Sequence, residues 1–501
     1  MKKATIALLL CISCILSGCI PNIIAPDTTG HIHLDGDNNG ICDNCQTSLI
    51  VTVDIYNIND LHGKVADADT HPGVDELTTY IKNAAKPQNN VLLLSTGDMW
   101  QGSTESNMTE GLLTTDWMND IGFAAMTLGN HEFDWGEEPV RKNSEAADFP
   151  LLAINIYDRS TNQPVDYCQG SVVVEYDGIQ IGIIGAIGDC YSSIASEQVK
   201  DIYFKTDDEL TNLVKAESAK LRSEGVDFII YSIHDGFEDS KGAGITKVTS
   251  SNLSYYYDTE LSNGYVDLVF EGHTHQRYLL QDVHGVYHMQ NGGDNKGISY
   301  AKLQINSVTG TSQVSNPKLI PTGEYALLED DPIVNDLLEE YDALISPALR
   351  VVGKNATRKH GTEMRQLVAD LYYEFGEELW GDQYDITLGG GFISIRAPRE
   401  LPAGEVTYAQ LQALFPFDNQ LVLGSIQGRD LLDKFIETDN SNYFICRKDS
   451  TSINPNKTYY IIVDTYSSNY GPNKITEIAR YDEKFYARDL LADYIEAGNL
   501  D

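Results

Sequence analysis

Val91-Leu92-Leu93-Leu94-Ser95-Thr96-Gly97-Asp98-Met99-Trp100-Gln101-Gly102-Ser103 is an apolar run that stops on a glycine-bracketed carboxylate. The apolar part reads as a buried strand, and the polar part as the turn at its end. The same pattern recurs four more times. Residues 51–58 alternate like a strand and lead into Asp60-Leu61-His62-Gly63. Residues 124–128 lead into Gly129-Asn130-His131-Glu132-Phe133-Asp134, and residues 228–233 into His234-Asp235-Gly236. Residues 266–270 lead into Glu271-Gly272-His273-Thr274-His275. Helical stretches at 109–121 and 208–224 fall between these strands. Strands alternating with helices predict an α/β sheet with helices on its faces and functional residues at the strand ends. A single His at a strand end is ordinarily structural. Here five of the eleven histidines sit in such clusters beside Asp60, Asp98 and Asn130, which is the pattern of a metal site.

The chain has 501 residues, 74 acidic and 35 basic, for a formal net charge of −39. That length gives a prior of about three domains, or two large ones. A hydrophobic content of 42% with 9% aromatics excludes wholesale disorder. A pI near 4.4 excludes a basic footprint for nucleic-acid polymers. An acidic protein that handles phosphate needs a local positive device, such as metal ions.

The order D-x-H, G-D, G-N-H-E, lone His and G-H-x-H resembles the calcineurin-like metallophosphoesterases from residue 51 to about 325. Gly97-Asp98-x-x-Gln101-Gly102-Ser103 and the run 129–134 make the bacterial 5′-nucleotidase and UDP-sugar hydrolase family the nearest match. The resemblance implies an N-terminal metallophosphoesterase α/β sandwich, joined by a helix to a second, α+β substrate domain. It also implies two divalent ions, one held by Asp60, His62, Asp98 and His275 and the other by Asp98, Asn130, His234 and His273. Asp98 would bridge them. Zn, Mn, Co and Fe all suit such mixed nitrogen and oxygen ligation. A pair roughly 3.5–4 Å apart lowers the pKa of a bridging water and neutralises phosphoryl charge for in-line attack. In the family His131 faces the phosphate, and Asp134 orients its imidazole.

Residues 332–349 carry apolar positions at helical spacing and read as the connecting helix, within a joint at 326–350. Residues 351–501 are long enough for a domain of their own. Gly389-Gly390-Gly391 with Arg396, and Phe415-Pro416-Phe417-Asp418-Asn419, are similar to the family's C-terminal substrate domain. By that resemblance Phe417, Asn419 and Arg396 are the matching candidates for base and ribose or phosphate contacts. Tyr466 and Tyr470 are candidates for a second aromatic face, each stacking face contributing about 1–3 kcal/mol. Arg358 and Arg365 are further candidates without a motif. Arg396 stands three residues later than the family spacing, and the family's C-terminal Phe stretch is replaced here by the tyrosines.

Met1-Lys2-Lys3, an apolar run at 6–16 and Leu16-Ser17-Gly18-Cys19 resemble a lipoprotein signal peptide, 1–18, with lipid on Cys19. The chain is then expected to be exported and tethered to the cell membrane or surface. Residues 19–50 read as an acidic linker. Asp35, Asp37 and Asn39 with Gly40 form half of an EF-hand-like loop, but position twelve is Gln46, so any Ca²⁺ at 35–46 binds weakly. Cys42-x-x-Cys45 follows, with His31 and His33 before it. A Ca²⁺- or zinc-binding knot is one reading there, and a flexible linker is the favoured one. Of the five cysteines left after the lipid site, Cys168 and Cys190 are the expected disulfide pair, because both flank the strand-like run 171–188. Taken together, the expectation is a lipid-anchored two-metal hydrolase of nucleoside 5′-monophosphates. The alternatives are a 2′,3′-cyclic phosphodiesterase or UDP-sugar hydrolase on the same site, or an idle nucleotide-binding or adhesion lipoprotein.

Overall fold

The computed structural model describes residues 33–67, 72–237, 259–393, 395–396, 399–436, 443–447, 452–469, 475–481 and 486–500. Cys19, His31 and Tyr470, with the signal peptide, lie outside the described residues.

The N-terminal half is built on two six-stranded sheets. In chain order the strands are β1 (Ile50–Ile58), β2 (Val91–Ser95), β3 (Ala125–Thr127), β4 (Leu151–Leu152), β5 (Ile156–Asp158), β6 (Ser171–Tyr176), β7 (Ile179–Ile187), β8 (Ile202–Phe204), β9 (Phe228–His234), β10 (Leu268–Glu271), β11 (Arg277–Gln281), β12 (Tyr287–Asn291), β13 (Gly297–Asn306) and β14 (Ser312–Pro321). One sheet has the order β14-β13-β1-β2-β3-β4 and the other β11-β12-β10-β9-β7-β6. The core of each sheet is parallel: β1 pairs with β2 and β2 with β3 in one, β7 with β9 and β9 with β10 in the other.

Period-two alternation explains the layering. Val53 and Ile55 of β1 face Ile181, Ile183, Ile230 and Phe270 of the other sheet, forming the core between the sheets. Tyr56 and Ile58 turn the other way, into a cluster with Leu77, Ile81, Trp117 and Met118 of the covering helices. Ile229, Tyr231 and Ile233 of β9 do the same against Leu210, Val214 and Leu221 of the helix Asp207–Glu224. Every residue of β9 is buried, as a parallel strand covered on both faces requires. Each such aliphatic side chain contributes roughly 1.5–3 kcal/mol by leaving water.

The second half carries a five-stranded sheet in the order Tyr443–Arg447, Ile386–Phe392, Thr458–Asp464, Leu421–Gln427, Thr476–Arg480. The helix Gly361–Trp380 lies on it, with Met364, Val368 and Tyr372 in its core. The three glycines at 389–391 are needed for close approach. Added Cβ atoms would collide with the Tyr373 backbone, the Phe444 carbonyl and the Ser467 side chain.

Four expectations are corrected. Residues 171–188 are a hairpin, β6 and β7, turning at Asp177-Gly178, both at positive φ. Cys168 and Cys190 are free thiols, donating to the carbonyls of Ala153 and His234 respectively. The helix expected at 109–121 is two, Thr104–Met108 and Leu112–Ile121, the first starting early because Ser103 Oγ accepts from Ser106 N as an N-cap. The connecting helix at 332–349 is three short pieces, Ile333–Glu340, Asp342–Ile345 and a 3₁₀ turn Ser346–Leu349 containing Pro347. It is also docked rather than free. Val334, Leu337 and Ile345 are buried in the N-terminal core, and Tyr341 OH donates to Asp116.

Candidate active site and metal centre

The carboxyl ends of β1, β2, β3, β9 and β10 converge, and the seven expected ligands arrive with them. Asp60, His62, Asp98, Asn130 and His234 are buried, and His273 and His275 are half-buried. Ligand atoms of Asp60, His62 and His275 lie within 4.8 Å of one another, as do those of Asp60, Asp98 and His234. Asp60 thus falls in both clusters. Asp98 Oδ2 lies 3.1 Å from His234 Nε2, while its other oxygen accepts from His131 N at 2.9 Å. Asn130 Oδ1 is 3.3 Å from His234 Nε2.

Two imidazoles are oriented by backbone carbonyls. His62 Nδ1 donates to Gln101 O at 2.9 Å and His234 Nδ1 to Thr96 O at 2.5 Å. Each therefore turns its Nε2 inward, the orientation that an outer carbonyl gives a metal-binding histidine. His62 Nε2 then faces His275 Nε2 at 3.0 Å. Nitrogens and carboxylate oxygens aimed at a common point fit a divalent cation.

The electrostatics agree. Burial alone would raise the Asp98 carboxyl, but His234 and His131 hold it well below the usual carboxylate range. Burial and His275 push His62 down to about 3, and burial and His234 push His273 down to about 4, so both are neutral imidazoles able to ligate. His234 goes up to about 10, burial being outweighed by Asp98. The positive charge drawn there by the carboxylates is what a divalent cation supplies.

Two features went unread in the sequence. First, Asp60, His62, Asp98, His273 and His275 all have positive φ, between 51° and 66°. Non-glycine residues are rare in that region, and the strain concentrates where the ligands turn off their strands. Second, Glu132 is fully buried and collects four backbone N–H groups. Its Oε2 accepts from Gly129 at 2.6 Å and Asp98 at 2.8 Å, its Oε1 from Met99 at 2.8 Å and Trp100 at 3.3 Å. It ties the two ligand loops after β2 and β3 together. The four donors favour its anion against burial and Asp98, which push the carboxyl up to about 7.

His131 and Asp134 form the expected pair, Nδ1 to Oδ2 at 2.7 Å. Burial lowers the His131 pKa and the carboxylates of Asp134 and Asp98 raise it, for a net rise. Beyond it the C-terminal half closes a cleft of about 590 Å³. Arg396 reaches His131 Nε2 at 3.4 Å and lies over the Phe417 ring, which stacks on His131 at 6.0 Å. Asn419 and Tyr466 line the same cleft, Tyr466 on the short helix Thr465–Asn469 against Phe392. Arg358 and Arg365 are directed elsewhere, to Glu400 and to the Ile393 carbonyl. The arginines that line the cleft with Arg396 are Arg480 and Arg488. Arg488 is buried, bonded to Asp418, to Tyr408 OH and to the Phe417 carbonyl at 3.0 Å, so it holds the backbone that presents Phe417. No local motif announces it.

At the tail, both Asp35 oxygens accept from the loop itself, from Asn39 N at 2.9 Å and Gly40 N at 3.0 Å.

Comparison with known proteins agrees with this geometry. The calcineurin-like phosphoesterase profile matches residues 54–277, and the 5′-nucleotidase C-terminal domain profile matches residues 345–445. Endonuclease YhcR of Bacillus subtilis is 27% identical over 76% of the chain, which spans 32% of that protein. The chain thus covers about a third of that relative. Protein UshA of Yersinia enterocolitica is 24% identical over 87% of the chain and 88% of its own length. In fold, a 5′-nucleotidase precursor from Thermus thermophilus superposes with a TM-score of 0.65, at 18% identity, over 90% of this chain and 97% of its own. With both profiles in order on one chain and a ligand cluster at the strand ends, the protein belongs to the 5′-nucleotidase family built on a calcineurin-like domain, and is a metal-dependent phosphoester hydrolase.

Proposed function

We propose that the chain removes phosphate from nucleoside 5′-monophosphates. The observation that carries this reading is the contact of His131 with both Arg396 and Phe417. It sets a phosphate-facing imidazole of one domain against a cation and an aromatic face of the other, a span that a nucleotide fills. Bound divalent ions at Asp60, His62, Asp98, Asn130, His234, His273 and His275 would supply Lewis-acid chemistry and an activated water.

The residues do the rest. Asp134 holds the His131 ring so that Nε2 faces a phosphoryl oxygen and donates to it as charge develops. Arg396 offers a second cationic donor beside it. Phe417 and Tyr466 offer faces to the base, and the Asn419 amide offers hydrogen bonds to its edge. Tyr470 and the lipid on Cys19 belong to the same reading, as does the division into a tail, 19–50, a metallophosphoesterase domain, 51–325, a joint, 326–350, and a substrate domain, 351–501. The lipid site makes it an exported, membrane-tethered enzyme.

The test is a panel of AMP, 2′,3′-cyclic AMP, UDP-glucose and p-nitrophenyl phosphate on metal-loaded protein. The expected result is the highest kcat/KM on AMP. Preference for the cyclic ester or the UDP-sugar would replace this substrate, and absence of turnover on all four would leave a binding lipoprotein.

A further inference from the structure

The tail at 33–49 folds as a small module at the far end of β1 from the catalytic ligands, about 27 Å along nine strand residues. Asp43 N donates to the Leu34 carbonyl at 2.8 Å, and Cys42 N to Thr47 O at 2.9 Å. Gln46 N closes the Cys42-x-x-Cys45 turn on the Cys42 carbonyl at 2.8 Å, and Ile41 bridges Ser48. Asn306, at the end of β13, donates its amide to Asp35 and so fixes the module to the sheet. Its apolar core consists of Cys42, Leu49 and Val308. Such a core is far below what an independent fold needs, and small modules of this kind are usually closed by a metal or a disulfide.

These bonds bring His33, Cys42 and Cys45 together. Their ligand atoms lie within 4.8 Å of one another, with Cys45 Sγ 3.7 Å from His33 Nδ1. In a tetrahedral zinc site, bonds of about 2.0–2.3 Å place neighbouring ligand atoms roughly 3.5–3.8 Å apart. The His-to-Cys edge already has that length. The oxygens of Asp35, by contrast, are taken up by Asn39, Gly40 and Asn306, and those of Asp37 by Asn39. The half EF-hand is therefore the hydrogen-bonded turn that delivers the knuckle, and the soft ligands beside it are the ones gathered on a common point.

We propose that His33, Cys42 and Cys45 bind a structural divalent cation of the zinc class, separate from the catalytic centre. Binding deprotonates the two thiols, releasing their protons to solvent, and forms metal–sulfur bonds with both. The ion staples the tail onto the phosphoesterase domain without entering its chemistry.

Cobalt tests this on the full chain, stripped of metal under reductant and reloaded with Co²⁺. Thiolate-to-cobalt charge transfer gives a near-ultraviolet band that ligation by oxygen and imidazole does not. We expect about three cobalt ions per chain with the band present, and about two with the band abolished in Cys45→Ser and weakened in His33→Ala. Phosphate release should be unchanged in both. The Cys190 thiol lies within 4.8 Å of ligand atoms of His234 and His273 at the catalytic centre, so Cys190→Ser is the control and should keep the band. A band that survives Cys45→Ser, unchanged stoichiometry in that variant, displacement of the band by excess Ca²⁺, or a Cys42–Cys45 disulfide in protein isolated without reductant would each overturn the site. None of those results touches the phosphohydrolase reading, which rests on other residues.

Discussion

Replacing Glu132 by Gln removes one charge and one acceptor from a carboxylate that no substrate reaches. In the native protein each oxygen serves two N–H groups, Oε2 those of Gly129 and Asp98 and Oε1 those of Met99 and Trp100. Whichever oxygen becomes an NH₂ group, two buried donors lose their partner and face another donor. At about 1–3 kcal/mol for each unsatisfied group, the cost is roughly 2–6 kcal/mol. That is a large part of the 5–15 kcal/mol typical of a folded domain. The same N–H groups belong to the turns that aim Asp98 and Asn130, so metal affinity should fall with stability. Three of the four tryptophans, Trp100, Trp117 and Trp135, lie in the N-terminal half, so fluorescence during urea unfolding reports mainly on that domain. The expected result for Glu132→Gln is a lower urea midpoint, reduced metal content and depressed kcat, with the C-terminal half unfolding as before. A wild-type midpoint together with full metal occupancy would refute the claim that this carboxylate organises the site.

Asp98→Asn should lower metal occupancy and phosphate release together by orders of magnitude, whereas His131→Asn should keep its metals and lose ~10²–10⁴-fold in kcat; equal metal loss in both variants would make His131 a ligand. Asp134→Asn removes a carboxylate that raises the His131 pKa while leaving the burial that lowers it. The imidazole then loses its proton at lower pH, so the alkaline limb of kcat/KM on p-nitrophenyl phosphate should move to lower pH, and an unmoved limb would exclude His131 as its source. Phe417→Ala should cost about 1–3 kcal/mol on AMP, read as a ~5- to 150-fold loss of kcat/KM, with p-nitrophenyl phosphate nearly unaffected. Cys19→Ala should move the protein from the membrane fraction to the soluble exported fraction with turnover intact; persistent membrane association would remove the lipid assignment.

What could be read from the sequence was whatever a short segment encodes by itself. An apolar run followed by a Gly-flanked Asp or His is local, so the five strand ends that carry the candidate ligands were legible, and the His131–Asp134 spacing went with them. Two misread elements also carried local signals that were passed over. Asp177-Gly178 is a two-residue hairpin turn that splits 171–188. Pro347 marks the end of helical geometry in the connector.

Other features have no local code. The positive φ of Asp60, His62, Asp98, His273 and His275 is imposed by tertiary packing, since none of these side chains is a glycine and only the assembled site over-determines such backbone. Arg488 stands 71 residues from Phe417 and acts on its carbonyl, a partnership visible only once the last helix, Ala487–Glu496, is docked. The same holds for Glu132, whose neighbours in sequence gave its position inside a motif while its function depends on three N–H groups more than thirty residues away. The candidate ligands are thus encoded one strand at a time, whereas the groups that aim them are encoded by the fold. A substitution at a candidate ligand should therefore lower metal binding and turnover while leaving folding largely intact, and one at Glu132 should act on folding and metal binding together. That coupling separates an organising residue from a coordinating one.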